Sequence, residues 1–274
     1  MSWDHVRAIA GADLRRLFKS KDYWIPLLML ATLFFVFMPL LALGVIGMLA
    51  DTTIAQQLAG VVDSIPADIS RSLPADDPDA QAAYLIAVYM LAPIAIIVPL
   101  TISVAVASNA IVGERERGTG EFLAHSPLTM KEIYFGKLLA SLVPGYLITI
   151  FGFSLYSFVV NLTVGPKIGG WFFPTAGWFL LIIFVIPPII AIAIALVLRM
   201  SARMRSAAAA QQASSLVSLP IIIVSYALTV RVISSPGPSA FLIGAIAWAV
   251  ALSLAARGAG KIKRERLLGV ASEA

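Results

Sequence analysis

The sequence predicts an all-α integral membrane protein. It reads as six transmembrane helices, an N-terminal interfacial amphipathic helix, and a short cytoplasmic helix between helices two and three. Three observations predict this. First, 59% of the 274 residues are hydrophobic and 13% are charged, against about 25% charged in a typical soluble domain. Second, the charges are segregated, which leaves long uncharged runs. About 20 apolar residues suffice to span a hydrocarbon core of about 30 Å. Third, the basic residues alternate between the loops in the way that fixes membrane orientation.

The chain divides into an amphipathic segment 1–22, a transmembrane domain 23–256 and a basic tail 257–274. The apolar runs fall at 23–50, 82–113, 133–164, 177–198, 206–230 and 240–256. The first is too long for a signal-peptide core of about 7–15 residues. With the N-terminus inside, the inner pieces are 1–22, 114–137, 199–205 and 257–274, and they hold every Lys and Arg except Arg71, Lys167 and Arg231. That asymmetry places both termini in the cytoplasm. It also explains the net charge of +5 as topology rather than nucleic-acid binding. The absence of cysteine and the compact layout fit a prokaryotic plasma (inner) membrane.

Ahead of helix one, Trp3, Val6, Ala10, Leu14 and Leu17 form one stripe at helical spacing, with Arg7 intruding on it. Such a basic amphipathic helix lies flat at the lipid interface. It reads either as a plain anchor or as a lever on helix one. The extracellular loop 51–81 is the longest and has its own apolar stripe, Ile54, Leu58, Val61 and Ile65. Asp76, Asp77 and Asp79 then cluster. They suit a cation or a solvated turn in which Asp79 caps helix two. Prolines interrupt five of the six runs, either as packing irregularities or as hinges.

Several function classes are excluded or disfavoured. The interiors of the runs carry no ionisable residue, with Lys137 assigned to the inner piece that precedes helix three. Intramembrane charges mark proton relays and ion paths, and an intramembrane protease needs an acid–base constellation. No catalytic residue is assigned. With no cysteine and only His5 and His125, no metal centre is expected. No P-loop is present, because Gly136-Lys137-Leu138 and Gly260-Lys261-Ile262 lack both the first glycine and the final hydroxyl. The chain therefore reads as a non-enzyme without cofactor. Polar residues in the runs, namely Asn109, Gln211, Gln212, Ser214 and Ser215, either pack helices together or line a substrate path.

The segment 114–132 carries the most information. Alternating charges from Glu114 to Arg117 carry helix two into water, and Gly118 and Gly120 break it. Thr119 caps a short new helix with Glu121 in its first turn. Ser126-Pro127 ends that helix, and Thr129 with Glu132 forms a capping box that starts helix three. Phe122 and Leu123 then face water. An exposed apolar pair is commonplace, but on a braced element it also suits docking.

This segment resembles the signature of the ABC-2-type family of ABC transporter permeases, Glu-x-Glu-x-Gly-Thr-x-Glu followed by a proline and a Gly-Lys. Glu114, Glu116, Gly118, Thr119, Glu121, Pro127, Gly136 and Lys137 match it, while Gly120 stands where the family often has leucine. The resemblance implies that the short helix is a coupling helix seated in a groove of a separate ABC ATPase subunit, which would bind the ATP and Mg. It implies that Phe122 and Leu123 are buried there and that neighbouring charges pair with the ATPase. It also implies a second permease copy or a related permease, and export by alternating access. The long first outside loop suggests a branch other than the sterol and drug half-transporters. Two alternatives remain, an ion-gradient-driven secondary transporter and a non-transporting anchor or regulatory subunit. The substrate is not legible.

Overall fold

The computed structural model describes residues 1–49, 78–204, 206–234 and 237–259. The acidic cluster at Asp76 and Asp77, most of the 51–81 loop and nearly all of the basic tail lie outside them. Among the described residues the chain is helical, and six helices are long and apolar enough to cross a membrane. We label them with the shorter helices in chain order. Helix α1 is Trp3–Lys19. The spans are α2 (Tyr23–Val45), α3 (Asp79–Asn109), α6 (Met130–Thr163), α8 (Ala176–Ser201), α9 (Ala207–Ser234) and α10 (Pro238–Gly258). Between α3 and α6 lie α4 (Val112–Glu116) and α5 (Gly120–His125), and α7 (Gly165–Ile168) follows α6.

Burial divides the spans. Of the most apolar 18 residues, 67%, 50% and 61% are buried in α3, α6 and α8, against 22% in each of α2, α9 and α10. The first three make the core, and the others present apolar side chains such as Met29, Leu216 and Leu242 outward. In a bilayer that outward face meets lipid, so its exposure costs nothing.

Three spans contain a widened π turn: Leu33–Phe37 in α2, Ile86–Met90 in α3 and Leu181–Val185 in α8. Each lies two or three residues before a proline, namely Pro39, Pro93 and Pro187. Proline lacks an N–H and its ring crowds the carbonyl one turn back, so the wider turn relieves the clash. In α3 the Leu91 N–H bonds to the Ile86 carbonyl and the Ala92 N–H to the Tyr89 carbonyl. The carbonyls of Ala87 and Val88 are thereby left without a helical donor. Tyr156 of α6 donates its hydroxyl to the first, and Trp178 of α8 donates Nε1–H to the second at 3.0 Å. Membrane helices tolerate such breaks when neighbours satisfy the backbone in this way.

Helix α1 packs along α6 rather than standing apart. Val6, Ile9 and Ala10 are its buried residues. Trp3, expected on the apolar stripe, is 58% exposed, because the contact is made by the face that includes Ile9. Gly136 allows this approach, since a Cβ there would lie 2.7 Å from the Ile9 Cβ. The Thr129–Glu132 capping box at the start of α6 is present as expected. Glu132 also accepts from the Ser2 N–H at 2.6 Å, and the His5 ring lies 3.2 Å away. One carboxylate thus ties the start of α1 to the start of α6.

Several boundaries differ from expectation by a few residues, and two of them bear on the residues singled out above. The first helical residue ahead of the α3 span is Pro78, so Asp79 sits inside the first turn rather than ahead of it. The helix also ends at Asn109, and the expected continuation to residue 113 is the separate helix α4.

Candidate functional site

At the α1 end of the bundle, the segment between α3 and α6 folds as two short helices with opposite surroundings. Helix α4 ends in a left-handed turn at Gly118, whose φ is +70°, a conformation natural to glycine. The Thr119 N–H bonds to the Glu114 carbonyl at 2.9 Å and the Gly118 N–H to the Arg115 carbonyl at 3.1 Å. This paired closure is a Schellman motif, and it sets the direction in which α5 departs.

Glu114 was expected in water. It is instead 7% exposed, because α4 turns back onto α6. There the Lys137 ammonium, itself 3% exposed, donates to Glu114 Oε1 at 2.7 Å. Lys137 also lies 2.8 Å from Asp13 Oδ2 of α1. Arg117 and Arg16 approach the same Glu114 oxygen at 3.3 and 3.7 Å, and the Thr119 hydroxyl donates to Glu114 Oε2. Burial works to raise the Glu114 pKa. The Lys137 charge and hydrogen bond outweigh it, and with Thr119 and Arg117 they hold the carboxyl down at about 2. Three elements, α1, α4 and α6, are thus joined through one ammonium.

Lys137, expected in the water-facing piece that precedes helix three, therefore lies in the helix of a span, near its start, and is buried. The reason is length. Helix α6 has 34 residues, or about 51 Å at 1.5 Å per residue, against about 30 Å of hydrocarbon. Part of it therefore lies beyond the hydrocarbon, and a charge with partners is tolerated near a helix end.

The remaining residues of the segment have separate roles. Glu116 is exposed, and its Oε1 accepts from the Ala207 N–H at 2.8 Å, capping the start of α9. Arg115 donates to the Met204 carbonyl. Thr119 precedes α5 but makes no side-chain cap, since its hydroxyl is turned back to Glu114. Gly120 and Ala124 are buried, while Glu121 and Pro127 are exposed. Phe122 is 81% exposed, whereas Leu123 is half-buried against the core. The expected apolar pair is split because consecutive residues on a helix point about 100° apart. Ser126 closes α5 by donating to the Leu123 carbonyl at 2.7 Å.

The five polar span residues do not share one face. Asn109 is exposed at the end of α3 and lines a cavity of about 150 Å³ beside the ionic cluster. Gln211 accepts from the Ser108 hydroxyl at 2.5 Å, and so joins α9 to α3. Ser214 is buried and bonds its own helix, while Gln212 and Ser215 are exposed on the outer side of α9.

Sequence reasoning missed Asp13 and the burial of Lys137. The available signal was a lone lysine in the apolar run Tyr134–Leu139, which requires an anionic partner if it is buried.

The fold defines a multi-pass α-helical membrane protein with a short two-helix elbow braced at one end of its bundle. Across residues 7–235 the chain matches the family described as ABC-2 family transporter protein. It belongs to that family and is a transporter permease. The match runs from α1 to the end of α9 and contains the whole ionic cluster. No curated protein matched the chain.

Proposed function

We propose that this permease is the membrane half of an ATP-driven exporter, with α5 as the coupling helix received by a separate ABC ATPase. The observation that carries this reading is Phe122. It is a large aromatic side chain, 81% exposed, on a helix of six residues whose neighbours Leu123 and Ala124 are anchored inward. A rigid apolar knob of this kind is the usual form of a docking anchor.

In this reading the α1 end faces the cytoplasm, because it carries the basic loops, and both termini lie there. Helix α1 lies at the lipid interface. ATP and Mg bind on the ATPase, and a second permease copy or a related permease completes the assembly. ATP-driven closure of the ATPases pushes on α5, and the buried cluster passes that motion to α1 and α6 together. The bundles then tilt to alternate access and export an as yet undefined substrate, with Asn109, Gln211, Gln212, Ser214 and Ser215 as candidate path residues.

The test is co-purification. Phe122→Asp is expected to release the ATPase in mild detergent while the permease keeps its yield, and undiminished recovery of the ATPase would refute docking through α5. A second reading, an ion-driven secondary transporter, draws on Lys137 as an ionisable group within a span. Transport abolished by a protonophore at constant ATP would favour it. An anchor or regulatory subunit would give no ATP-dependent flux in reconstituted vesicles.

A further inference from the structure

The cavity beside the ionic cluster has a chemistry that the cluster does not use up. Its volume is about 150 Å³, and it lies between α1, the start of α2, the end of α3, α4 and α6. Its charged lining consists of Arg16, Arg117 and Lys137 against Asp13 and Glu114. Lys137 is committed to both carboxylates, at 2.8 and 2.7 Å. Among the described residues the two guanidiniums share what remains, a single Glu114 oxygen at 3.7 and 3.3 Å. Their side chains are 52% and 44% exposed. Each guanidinium carries five N–H donors, more than one shared oxygen can use. Tyr23 also lines the cavity, and its hydroxyl is buried without a hydrogen-bond partner. Asn109 and Ser141 add neutral polar groups, and the rest of the wall is apolar and includes Leu17 and Val106.

One net positive charge, a surplus of donors and an apolar floor describe a site for a phosphate with an acyl tail. We infer that this cavity holds the phosphodiester of an anionic phospholipid from the surrounding bilayer. Arg16 and Arg117 are the charged contacts, and the lipid's chains lie along the apolar floor. Guanidinium and phosphate pair in bidentate fashion, and basic pockets between membrane helices are suited to anionic headgroups. Bound there, the lipid supplies the counter-charge that the two carboxylates leave unfilled. It also seats α1 against α3 and α6.

The test uses the full-length permease, purified and presented with mixed micelles containing phosphatidylglycerol or phosphatidylcholine at equal concentration. Retained lipid is read by native mass spectrometry. Phosphatidylglycerol is expected to be retained in preference to phosphatidylcholine. Arg16→Gln and Arg117→Gln should each lower its retention about fivefold, from about 1 kcal/mol per basic residue. Arg16→Lys and Arg117→Lys should keep most of it, which separates charge loss from misfolding. Arg15→Gln serves as the control, since Arg15 is exposed on α1 and does not line the cavity. Equal loss with Arg15→Gln would show diffuse surface attraction and overturn the site. Equal retention of phosphatidylcholine, or displacement by inorganic phosphate at the lipid's own concentration, would also overturn it.

Discussion

Helices α4 and α5 are separated by three residues, yet they are built on opposite terms. Helix α4 is drawn inward: Val112 and Glu114 are buried, and the Glu114 carboxylate is held by a lysine from 23 residues further on. Helix α5 is pushed outward: its inner face is Gly120 and Ala124, two of the smallest residues, and its largest side chain points away from the protein. The contrast shows how one loop can be both firmly held and available. The charged half carries the attachment, and the apolar half carries the exposed surface. This reverses the expectation that charges face water and apolar residues seek cover.

The largest effect should come from removing the common partner of the attached half. Lys137→Met leaves the buried Glu114 and the partly buried Asp13 without the ammonium they share. It is expected to destabilise the protein by about 3–5 kcal/mol, read as a lowered midpoint in thermal unfolding in detergent. An unchanged midpoint would show that the cluster does not hold α4 in place.

Acid should weaken the same half. The Glu114 pKa is depressed in the folded protein to about 2. Its contribution is therefore complete above the ordinary carboxylate range, near pH 4.3, and is lost as pH falls from there toward 2. Unfolding midpoints at pH 6 and pH 3 should differ more in the natural protein than in Glu114→Gln, and parallel behaviour would count against the pairing.

Gly136→Ala places a methyl 2.7 Å from the Ile9 Cβ and should cost about 1–3 kcal/mol by parting α1 from α6. Protease cleavage within α1 would report the separation, and unaltered cleavage would mean the neighbours absorb the methyl. The smallest effect on the fold belongs to Phe122→Asp, within about 0.5 kcal/mol as for most surface changes. A large loss of stability there would mean that Phe122 is structural, and the contrast between the two helices would collapse.

The spans and the capping box were legible in the sequence because their signals are local. A run of 20 apolar residues, or a Thr followed three places later by Glu, carries its meaning without distant partners. The fate of Glu114 was not legible. Its place beside Arg115 and Arg117 reads as solvated alternation, and only contact with Asp13 and Lys137 across the fold reverses that reading. Phe122 and Leu123 read as a pair for a similar reason. Hydropathy records that both are apolar, and only the neighbours of α5 decide which one is covered. Asp13 was hidden because a lone acid among the arginines of α1 looks like surface.

The break in α3 has a mechanical consequence. The carbonyls of Ala87 and Val88 are served by donors from two other helices, Tyr156 and Trp178. Sliding α3 by one pitch, about 5.4 Å, would strand the Ala87 carbonyl if it moved along α6 and the Val88 carbonyl if it moved along α8, at a cost of several kcal/mol each. A small tilt that pivots at that point moves the two carbonyls least. The bundle is thus stiff to piston-like travel at this level and compliant to swivel. A tilt about that break would turn a small displacement at the distant α1 end into an opposite one on its other side.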